Sequence, residues 1–303
     1  MTLRPKWQNF QERKWEEIRD SWLASIPVFP TLGARPEPGL ELLPGLLKID
    51  IPTISSRHPD VAGLRNNTLW EAIFLFHKCS HISLAAQRLA LQGMQSWCLF
   101  NAYHSAYLGA RGIMALLGVA LPNLHGNQVA LDLYPLSSSK KKGRGMGSPQ
   151  FEEFLLVKLP ILDQRNLWEA FQRLLQITQA GCWDAGLRQE LLDLTFSTIT
   201  PPRNRFLYKA HFWPLSDLTS DLDPADFREL YGEEMDSEDP GFLLRLCFAV
   251  YRLFEQLMIN LATYSKAVKT QFDGSRFLLD SGQPELTSYA IFVAQVSTAT
   301  GSI

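Results

Sequence analysis

The chain has 303 residues, 46% of them hydrophobic, so it is long enough to bury a large core and its composition is typical of a globular protein. Its 29 Lys and Arg are balanced by 31 Asp and Glu, which excludes a general attraction for nucleic acid and leaves only a local basic patch for such binding. The most apolar run, residues 97–121, is interrupted by Asn101, His104 and Arg111 and is too short to cross a bilayer, so no membrane partner is expected.

The four cysteines are widely separated and form neither a CxxC pair nor a Cys/His cluster with metal-ligand spacing. They predict buried thiols in a reducing compartment: Cys79, Cys98, Cys182 and Cys247. The amino-terminal segment is charged from its fourth residue and has no apolar signal core, so we expect a cytoplasmic protein. No cofactor and no metal site is predicted.

Residues 1–65 predict an amphipathic helix followed by a connector rich in Pro and Gly. The helix is indicated by apolar residues at steps of three to five, which are Trp7, Phe10, Trp15, Ile18 and Trp22. Residues 27–58 are expected to run as extended chain over the surface.

Two bundle helices are predicted within residues 66–121, the first over 68–92 and the second over 96–119. One face of the first helix is expected to consist of Trp70, Ile73, Phe74, His77, His81, Leu84 and Ala85. His77 and His81 are four residues apart, a spacing that suits a metal, but without a third ligand nearby they indicate a structural pair.

A β-hairpin insertion is predicted over residues 127–160. In its first strand, Val129, Leu131 and Leu133 alternate onto one face, and "FEEFLLVKLP" supplies the second strand. The tip between them contains the densest positive charge of the chain, at Lys140, Lys141, Lys142 and Arg144. These residues are candidates for binding the RNA backbone, and a solvated surface loop is the alternative.

Helical periodicity resumes over residues 163–272, and the tail over 273–303 is weakly patterned. The segment 216–239 has ten acids and one Arg, which predicts a solvated acidic loop and a candidate contact for a protein partner. A long helix follows, with one face at Leu243, Leu246, Val250, Leu253, Leu257, Leu261 and Tyr264. The predicted fold is therefore mainly α, a single domain over residues 1–303 built as a helical bundle with an inserted β-hairpin.

Two polar stripes interrupt these apolar helices. In "TPPRNRFLYKAHFWPLSDL", residues 200–218, one face contains Asn204, Tyr208 and His211, with Arg203 beside the first of them. The second bundle helix has the same arrangement at His104, Tyr107 and Arg111. Because burying Arg and His is costly unless each meets a partner, we expect the stripes to face each other or a shared cleft.

Arg binds phosphate through paired N–H groups and His exchanges a proton near neutral pH. Together they suffice for metal-independent RNA cleavage, in which the ribose 2′-hydroxyl attacks the adjacent phosphorus. A structural hydrogen-bond network that joins the helices is the alternative.

The segment "NAYHSAYLGARGIMALLGV" resembles the second helix of HEPN domains, and the "RN" of Arg203 and Asn204 followed by His211 is similar to the HEPN signature. The resemblance implies a helical bundle, usually a homodimer, whose signature motifs meet at the dimer interface to form a metal-independent endoribonuclease. Many members of the family act in antiviral defence or toxin–antitoxin systems.

The resemblance also implies roles for individual residues. His211 would be the general acid and base, Arg203 or Arg205 would stabilise the phosphorane charge, and Asn204 would position the phosphate or the His. The residues around them would be His104, Arg111 and Tyr208. Two rival functions stay open, a non-catalytic helical subunit that binds a protein partner and a protein that binds nucleotides without cleaving RNA.

Overall fold

A computed structural model of the chain describes residues 7–25, 53–57, 61–92, 94–121, 123–124, 127–134, 153–159, 164–195, 198–200, 203–204, 241–266 and 268–269. These residues are mainly helical, which confirms the predicted fold class. The chain divides into two compact units, residues 1–257 and residues 258–303. The helices and strands described here belong to the first unit, and the last helix, Gly241–Tyr264, continues into the second.

Most helices lie where the periodicity predicts them. In chain order they are α1 (Trp15–Ser25), α2 (Val61–Leu91), α3 (Gln95–Leu116), α4 (Gln164–Ile177), α5 (Ala185–Asp193) and α6 (Gly241–Tyr264), and residues 198–200 and 203–204 are also helical. The first helix is shorter than predicted, because Trp7–Asn9 form a 3-10 turn and a short strand precedes Trp15. Asp184 caps α5, since its Oδ1 accepts a hydrogen bond from the Leu187 amide at 3.0 Å.

The predicted hairpin is confirmed, and it belongs to a larger antiparallel sheet. Strand β5 (Asn127–Asp132) pairs with β6 (Glu153–Leu159), with Ala130 opposite Val157. Strand β2 (Thr53–Arg57) pairs with β6, and β3 (Val119–Ala120) and β4 (Asn123–Leu124) pair with β5. Residues 53–57 were predicted as part of a surface connector and instead form the strand at one end of this sheet. A separate pair joins β1 (Arg13–Lys14) to β7 (Thr178–Gln179) in parallel.

Strand β5 is buried on both of its faces. Val129, Ala130, Leu131 and Asp132 are all buried, together with Leu133 directly after the strand. Val129, Leu131 and Leu133, predicted to lie on one face, are all buried, and so are Ala130 and Asp132 between them. A strand covered on both faces shows no alternation of polarity, and here the second face contains a small Ala and a charged Asp.

Helices α2 and α3 form an antiparallel pair whose shared core is lined by small side chains. On α2 these are Ala72, Cys79, Ser80, Ser83 and Ala86. Of the residues predicted to share one side of α2, Ile73 and Leu84 are buried, whereas Phe74 and His81 are exposed. Small residues let two helices approach closely, so α2 and α3 can pack against each other along these positions.

Two glycines on α3 let α6 approach closely. A Cβ atom at Gly112 would lie 2.2 Å from the Phe254 ring, and one at Gly109 would lie 2.8 Å from Val250 Cγ1. Aromatic rings also pack between α2 and α6. The Phe76 ring of α2 contacts the Phe254 ring of α6 edge to face, with the two centroids 5.1 Å apart. The three long helices thus share one core.

A buried ion pair joins the amino-terminal segment to the sheet. Arg13 Nη1 and Nη2 donate to the two carboxylate oxygens of Asp132 at 3.1 and 2.7 Å, and the Arg13 side chain is 0% exposed. Nη1 also donates to the Leu117 carbonyl at 2.9 Å, at the carboxyl end of α3. The guanidinium lies beside the rings of Phe10 and Tyr134, whose centroids are 5.7 and 4.9 Å from Cζ. One side chain therefore joins β1, α3 and β5.

The carboxyl end of α3 needs these partners because its last carbonyls find no N–H donors within the helix. Trp22 Nε1 donates to the Leu116 carbonyl at 2.8 Å. Gly118 adopts φ 88°, a conformation that favours glycine, and its carbonyl accepts the Leu133 amide at 2.8 Å. The helix therefore ends directly against α1 and the sheet.

We expect Asp132→Ala to lower the free energy of unfolding by about 3–5 kcal/mol, because it leaves the Arg13 charge buried without its counterion. Chemical denaturation followed by circular dichroism measures this. The matched control is Arg165→Ala, which breaks the exposed Arg165–Glu169 pair on α4 and should cost about 0.5 kcal/mol or less. Equal losses in the two variants would contradict a special role for the buried pair.

Candidate functional site

Arg203 and Asn204 form a pair that lies against α3. Arg203 Nε donates to Asn204 Oδ1 at 3.1 Å, and Nη2 donates to the same oxygen. Arg203 Cζ lies 5.8 Å from the centroid of the Tyr103 ring. Both Arg203 and Asn204 are partly exposed, so this guanidinium is held in place by an amide and an aromatic ring while it stays in reach of solvent.

Tyr103 is a fixed platform for this pair. Its ring is buried, its hydroxyl donates to Gln164 Oε1 at 2.6 Å, and Trp168 Nε1 donates to the same hydroxyl at 3.4 Å. Gln164 and Trp168 belong to α4, so the ring is held between two helices. The position of Arg203 therefore depends on the packing of α4 against α3.

His104 follows Tyr103 directly and is partly exposed on α3. Its Nδ1 lies 2.9 Å from the Phe100 carbonyl oxygen, and its ring lies on the Phe100 ring with centroids 4.1 Å apart. A carbonyl only accepts hydrogen bonds, so Nδ1 carries the proton. In the neutral ring the lone pair is therefore on Nε2, which is the nitrogen that could act as a base.

Arg111, two turns further along α3, is paired with α2. Its Nη2 donates to Glu71 Oε1 at 2.8 Å, and the two side chains are 25% and 32% exposed. Glu71 is a residue that sequence reasoning missed. Its signal was present, since Glu71 is the only acid among residues 61–116 and therefore the natural counterion for an Arg on the neighbouring helix.

The other predicted site residues lie outside the described part of the chain. These are Arg205, Tyr208 and His211 of the proposed signature, Lys140, Lys141, Lys142 and Arg144 of the hairpin tip, and the acidic segment 216–239. The described members of the two polar stripes are thus Asn204 with its neighbour Arg203, and His104, Tyr107 and Arg111. Of these, Arg203 contacts Tyr103, which precedes His104 on α3. Arg111 forms an ion pair with Glu71 of α2.

The two helix-face histidines differ in environment. His77 is partly buried and His81 is exposed. Burial lowers the pKa of His77 below its usual value, and the neighbouring His81 lowers it further. Among the described residues, no three His, Cys, Asp or Glu side chains are grouped so that they could bind a metal ion.

Three of the cysteines lie in the core shared by α2, α3 and α6. Cys79 Sγ is 3.3 Å from both the carbonyl and the hydroxyl oxygens of Ser105, and Cys247 Sγ is 3.9 Å from Ser83 Oγ. Burial raises the pKa of the Cys79 and Cys247 thiols, and it raises the pKa of Cys98 to about 12. Cys182 is only partly buried, and burial raises its pKa to about 11. None of these thiols has the environment of a nucleophile.

No family model, curated protein or solved structure matches this chain. Among the helices that the structure describes, none combines the length and apolar character that a membrane crossing requires.

The thiol environments predict slow labelling of the native protein. With a pKa of about 11, roughly one Cys182 side chain in a thousand is ionised at pH 8, and the three core thiols are shielded as well. We expect Ellman's reagent to react with all four cysteines rapidly in guanidinium and only slowly without it. Cys182→Ser should remove the fastest part of the slow reaction. Rapid, stoichiometric labelling of one thiol in the native protein would show a reactive cysteine that this account excludes.

Proposed function

We propose that the protein is a metal-independent endoribonuclease of the HEPN type. The observation that carries this proposal is the Arg203–Asn204 pair, which is held against Tyr103, the residue that precedes His104 on α3. The sequence pattern singles out both groups, and the contact of Arg203 with the neighbour of His104 supports a shared site. The substrate is RNA, and the expected setting is antiviral defence or a toxin–antitoxin pair.

Arg203 suits the role of phosphate ligand. A guanidinium stays charged at every pH at which proteins are folded, and its planar fork matches two phosphate oxygens. Asn204 Oδ1 accepts two N–H groups of Arg203, which restricts the rotation of that side chain. A restrained cation stabilises the charge that develops in the phosphorane without having to reorganise during the reaction. Arg205 is the alternative for this role.

The reaction follows from these groups. A base removes the proton of the ribose 2′-hydroxyl, the oxygen attacks the adjacent phosphorus, and the P–O5′ bond breaks as an acid protonates the leaving 5′-oxygen. The products are a 2′,3′-cyclic phosphate and a 5′-hydroxyl. His211 is proposed as the acid and base, with His104, Arg111 and Tyr208 around it, and Lys140, Lys141, Lys142 and Arg144 hold the RNA backbone.

A homodimer is part of the proposal, because the HEPN resemblance implies that the signature motifs of two copies meet. In that arrangement each copy supplies an Arg203 and a His211 to one cleft. The pairing of copies and the chemistry are separate claims, and size-exclusion chromatography with light scattering tests the first of them alone.

A second candidate function is favoured by the partners of the polar residues. Arg203 is paired with Asn204, Arg111 with Glu71, and His104 with a carbonyl of its own helix. Such internal satisfaction is also what a structural network between helices requires. In that case the protein is a non-catalytic helical subunit, and the acidic segment 216–239 binds its partner.

The purified protein should cleave RNA in EDTA and leave cyclic phosphate ends, and His211→Ala should abolish the cleavage. Arg203→Ala should lower the rate on the order of 10²- to 10³-fold, because it removes a group that stabilises the transition state. Denaturing gels and mass spectrometry of the product ends measure both effects. Arg165→Ala, which changes an exposed Arg of α4, is the matched control and should cleave at the rate of the unchanged protein.

Thermal melting separates the two candidate functions. A catalytic site tolerates His211→Ala and Arg203→Ala with little change in Tm, since active sites are commonly maintained at a cost in stability. If the unchanged protein cuts no RNA and both variants melt several degrees lower, the polar residues are structural and the ribonuclease proposal is wrong.

A further inference from the structure

Helices α2 and α3 present exposed aromatic residues to solvent. Phe74 on α2 is 51% exposed and Trp97 on α3 is 54% exposed, and Met94 before α3 is exposed as well. A single exposed apolar side chain is ordinary in a protein. Several on neighbouring helices indicate a binding surface when they belong to one patch. The question is whether they belong to one surface and what it binds.

The exposed residues of the two helices form one surface. On α2 the exposed and partly exposed stripe includes Glu71, Phe74, Lys78 and His81, and on α3 it includes Trp97, Phe100, His104 and Arg111. The α2 set recurs at steps of three and four and the α3 set at steps of three, four and seven, so each follows one side of its helix. The Glu71–Arg111 ion pair joins the two stripes, which places them on the same side of the helix pair. These eight residues are called the outer face below.

The rings of the outer face are arranged along the helix axis. The Trp97, Phe100 and His104 rings follow one another, with centroid distances of 5.8 and 4.1 Å between neighbours. The Cys79–Ser105 and Glu71–Arg111 contacts fix the antiparallel register and set Trp97 level with about residue 86 of α2. Phe74 and Trp97 are then roughly 18 Å apart along the axis, with His81 and His104 between them.

The charge of this helix pair is opposite to that of the chain. Residues 61–116 contain four cations, Arg65, Lys78, Arg88 and Arg111, and one acid, Glu71, which gives a net charge of +3 against −2 for the whole protein with neutral histidines. Lys78 Nζ lies 5.2 Å from the centroid of the exposed Phe74 ring, so a positive charge is held beside a stacking surface. Aromatic rings interleaved with cations are the arrangement that binds single-stranded nucleic acid.

We propose that the outer face binds single-stranded RNA, with Phe74 and Trp97 as platforms for unpaired bases and Lys78 as a phosphate contact. This inference rests on the proposed function, since it names the surface that holds the same substrate before cleavage. His104 belongs to the outer face and follows Tyr103, the residue that holds Arg203. A strand bound along the face is thereby led to the candidate site. Base-paired RNA is a poor ligand, because its bases are not available for stacking.

Binding is measured by fluorescence anisotropy with a labelled 2′-O-methyl oligonucleotide, which has no free 2′-hydroxyl and cannot be cleaved. We expect Trp97→Ala and Phe74→Ala each to weaken binding of the single strand about 5- to 150-fold, the range for losing one stacked base. Tyr264→Ala is the matched control, because Tyr264 is an aromatic residue 59% exposed on α6 that is not one of the eight outer-face residues, and its loss should leave affinity unchanged. The same oligonucleotide in a duplex should bind weakly to all four proteins.

Salt dependence tests the phosphate contact. Lys78→Gln should reduce the slope of log affinity against log salt by about 0.7, the value for one phosphate contact on a single strand. Lys14→Gln, at an exposed Lys on β1, should leave the slope unchanged. Equal slopes for Lys78→Gln and the unchanged protein would remove Lys78 from the proposal.

Two outcomes overturn the inference. Either the Phe74 and Trp97 variants bind the single strand like the unchanged protein, or Trp97→Asp converts a dimer into a monomer in light scattering with no change in affinity, which makes the outer face an interface between copies. RNA cleavage by Arg203 and His211 is assayed separately in the unchanged protein, so neither outcome by itself contradicts the proposed ribonuclease. Conversely, binding that depends on Trp97 in a protein that cuts no RNA supports the outer face and contradicts the ribonuclease.

Discussion

The buried Arg13–Asp132 pair is the constraint on which the rest of the fold depends. Removing two charges from water costs several kcal/mol for each, so the pair is tolerated only where geometry is good and the remaining N–H groups find acceptors. Here both carboxylate oxygens and the Leu117 carbonyl accept from Arg13. These three hydrogen bonds form together only when the amino-terminal segment, the sheet and the end of α3 are placed correctly relative to one another. The pair thereby fixes where α3 ends, and α3 carries both Tyr103 and His104.

The candidate site and the outer face are two neighbouring sides of α3. Tyr103 faces α4 and holds Arg203, whereas the following residue, His104, belongs to the exposed stripe with Trp97 and Arg111. Consecutive residues of a helix differ by about 100° in direction, so the proposed RNA surface and the Tyr103 platform are adjacent sides of α3. Binding and chemistry are thus proposed for adjacent surfaces of one rigid helix, whose position is set by the small residues it shares with α2 and by its contacts with α6.

The sequence predicts where the helices and the hairpin lie better than it predicts how they pack and pair with one another. Apolar spacing locates α2 to α6 and the β5–β6 hairpin, because those signals are local. It fails for β2, whose pairing with β6 depends on residues about one hundred positions away. It does not show that Phe74 is exposed while the small Ala72 and Ala86 are buried, because burial depends on the packing of α3 against α2. At the site, Glu71 could have been found as the only acid among residues 61–116, but the contact of Gln164 with Tyr103 depends on tertiary packing.

The central claim, attack by a ribose 2′-hydroxyl, is tested most directly with one modified substrate. Once a cleavage position has been mapped, single-turnover cleavage in EDTA is compared between that RNA and the same RNA with a 2′-deoxynucleotide at the scissile position. The account predicts that cleavage at this position disappears and that cleavage elsewhere in the strand continues. Cleavage of the modified position at an unchanged rate would contradict it, because the nucleophile would then come from outside the RNA.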